Sequence, residues 1–413
     1  MRRPSGLRAL LALGFFIAFV LLTMRAVLKA SWLGYAFRFD SPYLHVAALL
    51  GFDYADFGFV RRGLAGSVLG LFSRDLLLNA VVLHLVSAAA VSAVIVRFLV
   101  PLGRPPMLKA AFVAAVAALL LRWGEDPGRT DMAVAALVGL AAALFVAQRF
   151  VLAMVALTIG LALHETAYIF GLPLLAALAL DRGALRALPR RAWAGVLGVL
   201  LATLAGYFML ELLPRADTRT MVDTVRSRLP PDGRVDWAIY LSASGGRGVR
   251  EAICQNSIDP AYPFHVASGL LLIAGFAFVL RTRAGPSWPA LLLASVPPFL
   301  FVSVVANDIA RWTVLATFNV WLLCAAAPGG GPGDNRVRAP RTRLVLALLF
   351  VPLMHPSVGR VESPLFAPLP VLERLIAEAG GPRSPQFASM LEQCDPRWRE
   401  VLGDAPRAPL HRR

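Results

Sequence analysis

Apolar residues in this chain gather into long runs separated by short polar or charged stretches. Runs of 18 or more residues recur, which is the length that a helix needs to cross roughly 30 Å of hydrocarbon. Spans are placed at 8–28, 76–99, 108–123, 131–147, 150–163, 166–180, 192–213, 266–281, 288–305, 312–327 and 342–354. The pair 150–163 and 166–180 can also be one long kinked helix, because Gly171 and Pro173 interrupt it. The pattern therefore predicts an all-α, polytopic transmembrane helical bundle of about eleven spans.

Composition supports a membrane protein and argues against a soluble one. Hydrophobic residues make up 58% of the 413 residues and charged residues only 16%, against about 25% in ordinary globular domains. A single bundle therefore accounts for the length better than several soluble domains do. The net charge of +16 comes from arginines scattered between apolar segments and not from one basic stripe. We therefore expect contact with membrane lipids and their phosphates, and no nucleic-acid partner.

Arginine in the short connections sets the expected orientation, because Lys and Arg in short loops favour the cytoplasmic side. The basic start of the chain, MRRPSGLR, lacks a convincing cleavage site after the first apolar run. We therefore interpret residues 8–28 as a retained span and not as a signal peptide. With that end inside, alternate connections carry the basic clusters, such as DRGALRALPRR. The N-terminus is then cytoplasmic and the C-terminus extracytoplasmic.

This topology leaves three large segments on the outer side, at 29–75, 214–265 and 355–413. The first mixes apolar turns with charges, as in SPYLHVAALLGFDYADFGFV, which favours interfacial helices. We divide the chain into a transmembrane bundle at 1–354, which includes the first two outer segments, and an extracytoplasmic C-terminal tail at 355–413. The tail is predicted to hold a short helix around 368–379.

Ionisable residues concentrate in four clusters that this topology places on the outer side. Ionisable groups at membrane depth are costly, and for that reason they are functional candidates. The clusters are Asp53, Asp56, Arg61 and Arg62 in the first outer segment; Glu125, Asp126, Arg129 and Asp131 in the next outer connection; His164 and Glu165 in the third; and Asp308 and Arg311 between the ninth and tenth spans. Their position on one side suggests a shared cavity.

Each cluster also has an ordinary structural interpretation, which stays open. Asp53 and Asp56 can share one helix face and hold a metal or act as a general base, or they can be solvated in an interfacial turn. Arg61 and Arg62 can bind a phosphate in a bidentate manner, or they can anchor an interfacial helix to lipid headgroups.

The remaining polar positions divide in the same way. Asp131 fits the first turn of a helix as well as it fits a site. His164 and Glu165 interrupt a long apolar stretch, which is explained either by a site or by a turn between two short spans. Asp308 and Arg311 can simply pair with each other at i and i+3.

Two of the three cysteines, Cys254 and Cys394, fall in outer segments, whereas Cys324 falls within a span. An oxidising compartment on that side permits a disulfide between Cys254 and Cys394, which would tie the tail to the second outer segment. Two free thiols are the alternative, since sequence alone supplies no distance between them.

The layout resembles the C-type (GT-C) membrane glycosyltransferases and their relatives in bacterial envelope assembly. In that family a polytopic helical bundle uses a lipid-linked sugar on the non-cytoplasmic face. An acidic residue in the first outer loop serves there as the base or as a metal-associated carboxylate. The matching segment here is DYADFGFVRRG, from Asp53 to Gly63. The resemblance implies a catalytic role for Asp53 or Asp56, and phosphate contacts for Arg61, Arg62, Arg129 and Arg311.

The implied activity is transfer of a sugar from a polyprenyl-phosphate-linked donor to an envelope glycan, lipid or protein acceptor. A loop carboxylate would deprotonate the acceptor hydroxyl while arginines stabilise the departing phosphate. The further catalytic candidates are His164 and Glu165, and the further site candidates are Glu125, Asp126, Asp131 and Asp308. A divalent metal is a candidate cofactor, and the expected location is the bacterial plasma membrane.

Other function classes stay open. An O-antigen-type polymerase or ligase would bind pyrophosphate through Arg215, Arg219, Arg226 and Arg228 of the second outer segment. A transporter or flippase of anionic lipid-linked substrates needs a site near the bilayer midplane, where His84 is the one ionisable candidate. A purely structural membrane scaffold is the plain alternative. The gathering of charge at one boundary favours chemistry at the surface over alternating access.

Overall fold

Helices make up nearly all of the chain that the structure describes. The computed structural model describes residues 10–21, 47–57, 63–101, 106–124, 130–181, 190–211, 217–229, 247–282, 285–306, 308–327, 340–354, 368–382 and 387–395. No β-strand occurs within these ranges. The all-α prediction is therefore confirmed for the described residues.

Seventeen helices follow one another along the described ranges. They are α1 (Leu10–Leu21), α2 (Tyr54–Phe57), α3 (Gly63–Gly70), α4 (Leu76–Leu99), α5 (Pro106–Gly124), α6 (Thr130–Val146), α7 (Phe150–Leu163), α8 (Thr166–Asp181), α9 (Arg190–Glu211), α10 (Thr218–Ser227), α11 (Arg247–Ile258), α12 (Tyr262–Leu280), α13 (Trp288–Val305), α14 (Ile309–Ala326), α15 (Pro340–Met354), α16 (Pro370–Glu378) and α17 (Phe387–Cys394). Residues 47–50 are also helical.

Each of the eleven predicted spans overlaps one of these helices, and the number of membrane crossings stays a prediction. Helices α4 and α7 have the predicted bounds, whereas α12 begins at Tyr262 and not at 266. Pro263 in its first turn explains the earlier start, because proline is tolerated where the helix has no N–H bond to make. The predicted tail helix around 368–379 corresponds to α16.

Five of the described helices, α4, α5, α12, α13 and α14, are long and apolar enough to cross a membrane. Helices α1, α6, α7 and α8 and the middle of α9 are shorter apolar helices. Large apolar side chains such as Leu271 and Phe301 are exposed on the spans, as expected where lipid covers them. The chain is therefore a helical membrane protein.

Helix α14 lies at the centre of the bundle. Its side chains are buried almost throughout, because α5, α6, α8, α12 and α13 all pack against it. The Trp321 indole Nε1 donates a hydrogen bond to the carbonyl of Phe112 in α5 at 3.0 Å, and its ring stacks on that of Phe318. Protein, and not lipid, surrounds this helix.

Asn319 of α14 makes hydrogen bonds that a proline leaves unmade. Pro298 has no N–H, so the carbonyl of Ala294, four residues earlier in α13, lacks its usual helical donor. The Asn319 Nδ2 donates to that carbonyl at 2.9 Å and to the carbonyl of Phe170 in α8 at 2.8 Å. Hydrocarbon offers no water to replace such bonds, so this buried asparagine ties three helices together.

A second, smaller core lies beside the bundle. This small core consists of Ala47, Ala48, Leu50, Phe52, Phe57, Ala65, Leu76, Ala80, Met221, Val225 and Leu229. It packs residues 47–57, α3 and the start of α4 against α10, which lies far away in the sequence. Gly66 of α3 passes so close to the chain that an added Cβ would lie 2.0 Å from the Phe52 carbonyl oxygen. Only glycine fits at this crossing.

Polar side chains mark the two ends of the bundle. At one end, named the polar end, Arg311 at the start of α14 binds Asp131 at the start of α6. At the opposite end, Asp181 of α8 accepts a hydrogen bond from the backbone N–H of Ser287, which precedes α13. The starts of α6 and α14 therefore lie at the polar end, and the end of α8 and the start of α13 lie at the opposite end.

Candidate active site

The sequence candidates that the structure describes form two ionic clusters at the polar end. The loop cluster consists of Asp53, Asp56, Arg74 and Arg228. The helix-end cluster consists of Asp131, His164, Glu165, Asp308 and Arg311, with Trp312 between its members.

Local hydrogen bonds fix the carboxylates of the loop cluster. The backbone N–H of Asp56 donates to Asp53 Oδ1 at 2.8 Å, so Asp53 caps the short helix α2. The backbone N–H of Tyr54 donates to the Ser67 hydroxyl at 2.8 Å, and that hydroxyl donates to the carbonyl of Gly63. Helix α3 therefore holds α2 in place, with Asp53 directly before this helix as its N-cap and Asp56 within it.

Arg228 brings the second outer segment to these carboxylates. Its Nη1 donates to Asp53 Oδ2 at 3.0 Å and to the carbonyl of Gly51 at 3.0 Å, and its Nη2 donates to Asp56 Oδ2. The guanidinium also lies 5.7 Å from the centre of the Phe57 ring. Arg228 directly follows α10, whose apolar face packs into the small core through Val225. Packing of that amphipathic helix thus delivers the guanidinium to its site.

The two carboxylates of the loop cluster differ in access. Asp53 is buried, whereas the Asp56 side chain is 33% exposed. The hydrogen bond from Arg228 holds the pKa of Asp56 below its ordinary value, and the Asp53 hydrogen bond and the Arg74 charge act in the same direction. Arg74 Nη1 lies 3.4 Å from Asp56 Oδ2, and its side chain is 69% exposed. Asp56 is thus an ionised carboxylate that solvent can reach, beside an exposed cation.

The helix-end cluster holds its arginine between two carboxylates. Arg311 donates through Nε and Nη2 to the buried carboxylate of Asp131, which lies in the first turn of α6. Its Nη1 donates to Asp308 at 3.2 Å, the pairing that its spacing predicts. The guanidinium lies 4.9 Å from the centre of the Trp312 ring. In this arrangement Arg311 is bound to protein carboxylates on both edges, which leaves it poorly placed for a phosphate.

His164 ends α7 in extended backbone, and α8 begins two residues later. Two short helices therefore replace the single kinked helix that the sequence also allowed. The backbone N–H of Thr166 donates to His164 Nδ1 at 3.2 Å, and the Thr166 hydroxyl lies 2.9 Å from the same nitrogen. The ring centre lies 6.2 Å from that of Trp312, and Glu165 Oε2 lies 3.5 Å from Nδ1.

Apolar packing joins the surroundings of the two clusters. Leu163, the last residue of α7, packs against the small core, and the next residue, His164, belongs to the helix-end cluster. The structure therefore brings Asp53, Asp56, His164 and Arg311 to one end of the bundle. A cavity shared by the two clusters stays a prediction.

Several predicted site residues lie outside the described residues, namely Arg61, Arg62, Glu125, Asp126 and Arg129. Within the described ranges, no group of three or more His, Cys, Asp or Glu side chains is arranged to hold a metal ion. His84 is buried within α4, with its ring centre 5.3 Å from that of Phe19.

The two outer cysteines are joined. Cys254 of α11 and Cys394 of α17 form a disulfide across 140 residues of sequence, with their Cα atoms 5.8 Å apart. Cys324 is a buried free thiol within α14. The C-terminal tail is thus attached covalently to the second outer segment.

Sequence reasoning missed part of the loop cluster. Arg74 was not singled out, and Arg228 was considered only as a pyrophosphate contact. No local signal marks either residue as a partner of Asp53 and Asp56, because Arg228 is 175 residues away from Asp53. A hint existed for Arg228, since it follows three residues after Val225 on the apolar face of α10.

Comparisons of the chain with protein-family models, with curated protein sequences and with solved structures find no match. Function therefore has to be argued from the geometry of these clusters.

Proposed function

We propose that this protein transfers a sugar from a polyprenyl-phosphate-linked donor to an acceptor hydroxyl at the polar end of the bundle, in the manner of the GT-C glycosyltransferases. The observation that carries the proposal is the loop cluster, where an ionised, solvent-reachable carboxylate lies beside an exposed guanidinium at the end of an apolar bundle. These are the groups that a membrane enzyme needs to activate a hydroxyl and to stabilise a departing lipid phosphate.

Asp56 is the proposed base. As the acceptor oxygen forms its bond to the anomeric carbon, the bond from that carbon to the phosphate oxygen breaks, and the acceptor proton passes to Asp56. Asp53 is the proposed positioning residue, because it is buried, caps α2 and shares Arg228 with Asp56. Arg228 keeps Asp56 ionised through the hydrogen bond that lowers its pKa.

Arg74 is the proposed contact to the phosphate of the donor. It is the exposed cation nearest to Asp56 in the loop cluster, and its guanidinium has donors to spare beyond the Nη1 that donates to Asp56 at 3.4 Å. Arg311 is less suitable because two carboxylates bind it. The prediction from sequence also gives roles to Arg61, Arg62 and Arg129. It includes a divalent metal as a candidate cofactor.

The proposed setting is the bacterial plasma membrane, crossed about eleven times, with the N-terminus in the cytoplasm and the polar end outside. Support comes from the charge at the opposite end, where Arg149, Arg281 and Arg343 lie beside the ends of α6, α12 and α15. Such a bias is typical of the cytoplasmic side. The donor is lipid-linked because nucleotide sugars are not supplied outside the cytoplasm.

The test is a profile of lipid-linked sugars, by mass spectrometry, in cells that lack the protein and are complemented with variants. A polyprenyl-phosphate sugar should accumulate without the protein and with Asp56→Asn, and it should disappear with the unchanged chain. Loss of a general base lowers the rate by about 10²- to 10⁴-fold. The matched control is Asp217→Asn, which removes one exposed carboxylate at the start of α10 and keeps a good cap for that helix. If the Asp56→Asn variant clears the donor as well as the control does, the proposal is wrong.

An O-antigen-type polymerase or ligase is the second candidate function. The contacts of Arg228 and Arg226 decide which arginine variant can distinguish it from a transferase. Because Arg228 binds both Asp53 and Asp56, its loss disturbs either mechanism. Arg226 separates them, since its side chain is half exposed and pairs with Asp223 of the same helix at 4.0 Å. Arg226→Gln should leave a transferase active and should disable a polymerase that binds pyrophosphate there.

A further inference from the structure

Helix α3 and the turn after it carry apolar side chains on two opposite sides. The sequence of the helix is GLAGSVLG. Ala65 and Gly66 are buried on the side of the small core. On the other side, Val68, Leu71 and Phe72 follow one another at the spacing i, i+3 and i+4, which places them on one helical face. These three residues are named the outer face of α3.

Hydrogen bonds fix the turn between α3 and α4. The backbone N–H groups of Phe72 and Ser73 both donate to the carbonyl of Leu69 at 3.0 Å. The Asn79 side chain of α4 donates to the carbonyl of Ser73 at 2.9 Å, and the Ser73 hydroxyl accepts from the N–H of Asp75 at 3.0 Å. The outer face of α3 is therefore held beside the start of α4, a helix long and apolar enough to cross a membrane.

The outer face of α3 is strongly exposed. Leu71 is 82% exposed and Phe72 is 84% exposed, which is more than Leu271 and Phe301 on the spans, at 63% and 58%. Adjoining exposed apolar side chains on a protein surface mark contact with another protein or with a membrane. The surface therefore favours a partner that removes it from water.

The one polar side chain of α3 is used inside the protein. The Ser67 hydroxyl accepts a hydrogen bond from the backbone N–H of Tyr54 and donates one to the carbonyl of Gly63, each at 2.8 Å. The outer face of α3 thus presents only apolar side chains to its surroundings. A helix that is apolar on all sides is typical of a protein core or of lipid surroundings, and the exposure of this face leaves lipid.

The position of this face beside a membrane helix also favours lipid. Along the chain it is followed by the exposed face of α4, where Leu78, Val82 and Val86 recur every fourth residue. Because α4 can cross the membrane, we expect acyl chains against these side chains. Arg74 lies between the two apolar faces in the sequence and is 69% exposed. A guanidinium next to apolar surface suits the phosphate layer of a bilayer.

We propose that the outer face of α3 lies among the acyl chains of the bilayer leaflet at the polar end, just below the lipid phosphates. The partner is the bilayer itself. Arg74 and Asp56 are then held at the level of the phosphates, where a lipid phosphate reaches Arg74 laterally, without leaving the membrane. This contact is a property of the fold and does not depend on sugar transfer.

The test is fluorescence quenching of a bimane label on single introduced cysteines, with the full chain in vesicles of phosphatidylcholine and phosphatidylglycerol. The background is Cys324→Ala, because Cys324 is a free thiol whereas Cys254 and Cys394 are bonded to each other. Labels on Leu71→Cys and Phe72→Cys should be quenched by a nitroxide on the acyl chain of a phospholipid. Iodide in the water should quench them about tenfold less than it quenches an exposed control, because an ion enters hydrocarbon poorly.

The matched control is Asp223→Cys, since Asp223 is 62% exposed on α10, whose other side packs into the same small core. Its label should be quenched by iodide and not by the acyl-chain nitroxide. A label on Arg74→Cys should be quenched most by a nitroxide on the lipid headgroup, which establishes the order of depth. A non-reducing gel shows whether each variant retains the native disulfide and hence its fold.

Two results would overturn the proposal. If iodide quenches the labels on Leu71→Cys and Phe72→Cys as strongly as the label on Asp223→Cys, the outer face of α3 lies in water. If neither iodide nor the acyl-chain nitroxide reaches them, protein covers the face, such as a second copy of this chain. Quenching is independent of enzymatic activity, so the result stands whether or not the transferase proposal fails.

Discussion

The contact between Arg228 and Asp53 joins two segments that lie 175 residues apart, and its strength can be measured directly. The perturbations are Arg228→Gln, Asp53→Asn and the two together. Asparagine caps a helix about as well as aspartate does, so Asp53→Asn removes the charge and keeps the cap of α2. The double-mutant cycle then isolates the interaction between the two side chains.

The expected magnitude follows from the burial of the pair. A hydrogen bond to a charged group contributes about 1.5–3 kcal/mol when it is shielded, and an exposed pair contributes about 0.2–1 kcal/mol. Here the Asp53 side chain is 9% exposed and that of Arg228 is 19% exposed. We therefore expect a coupling energy of about 1–2 kcal/mol. Arg228→Gln alone should lower the free energy of unfolding by more, about 2–4 kcal/mol, because it leaves Asp53 and Asp56 as neighbouring negative charges.

The assay is reversible unfolding of the full chain in mixed micelles, with the free energy of unfolding compared among the four proteins. The control cycle pairs Asp53→Asn with Arg74→Gln, since Arg74 is 4.0 Å from Asp53 and far more exposed. That cycle should give a coupling energy below about 0.5 kcal/mol. If the effects of Arg228→Gln and Asp53→Asn add within about 0.5 kcal/mol, the two outer segments do not meet at this contact, and the site as described is wrong.

Two more predictions concern the bundle and the loop cluster. Asn319→Leu should lower the free energy of unfolding by about 1–2 kcal/mol, because the Ala294 carbonyl loses its donor inside hydrocarbon; unfolding in mixed micelles checks this, and an unchanged stability would contradict it. The pKa of Asp56 is lowered in the folded protein, so the stability from its Arg228 contact is present above the ordinary value of 3.8 and is lost as the pH falls through the lowered one. Thermal unfolding should therefore show that the unchanged chain loses stability at acid pH and that Arg228→Gln loses less. Equal losses of stability in the two proteins would contradict the contact.

The helices were predictable because their signal is local. A long apolar run specifies an apolar helix whatever surrounds it, and α4 and α13 have the predicted bounds for that reason. The polar pair His164-Glu165 marked the break between α7 and α8, since ionisable groups rarely lie within an uninterrupted span. The pairing of Asp308 with Arg311 was predictable on the same local basis.

The partners of the site residues were not predictable, because they come from distant parts of the chain. Asp131 looked like an ordinary first-turn acid, and only the packing of α14 against α6 shows that Arg311 binds it. Arg228 is one of many arginines in its segment, and its spacing from Val225 does not reveal that Asp53, 175 residues away, is its partner.

The bond between Asn319 and the Ala294 carbonyl bears on how the chain is made. Helix α14 has the lowest mean hydropathy of the five long spans, 1.4, and alone in lipid it would expose the amide of Asn319. Helix α13 alone would expose the carbonyl that Pro298 leaves open. Each helix is therefore a poor membrane segment until the other is present, and the short connection from Val305 to Ile309 keeps them together. The two should leave the translocon as a hairpin, with the polar groups of each already satisfied by the other during biosynthesis.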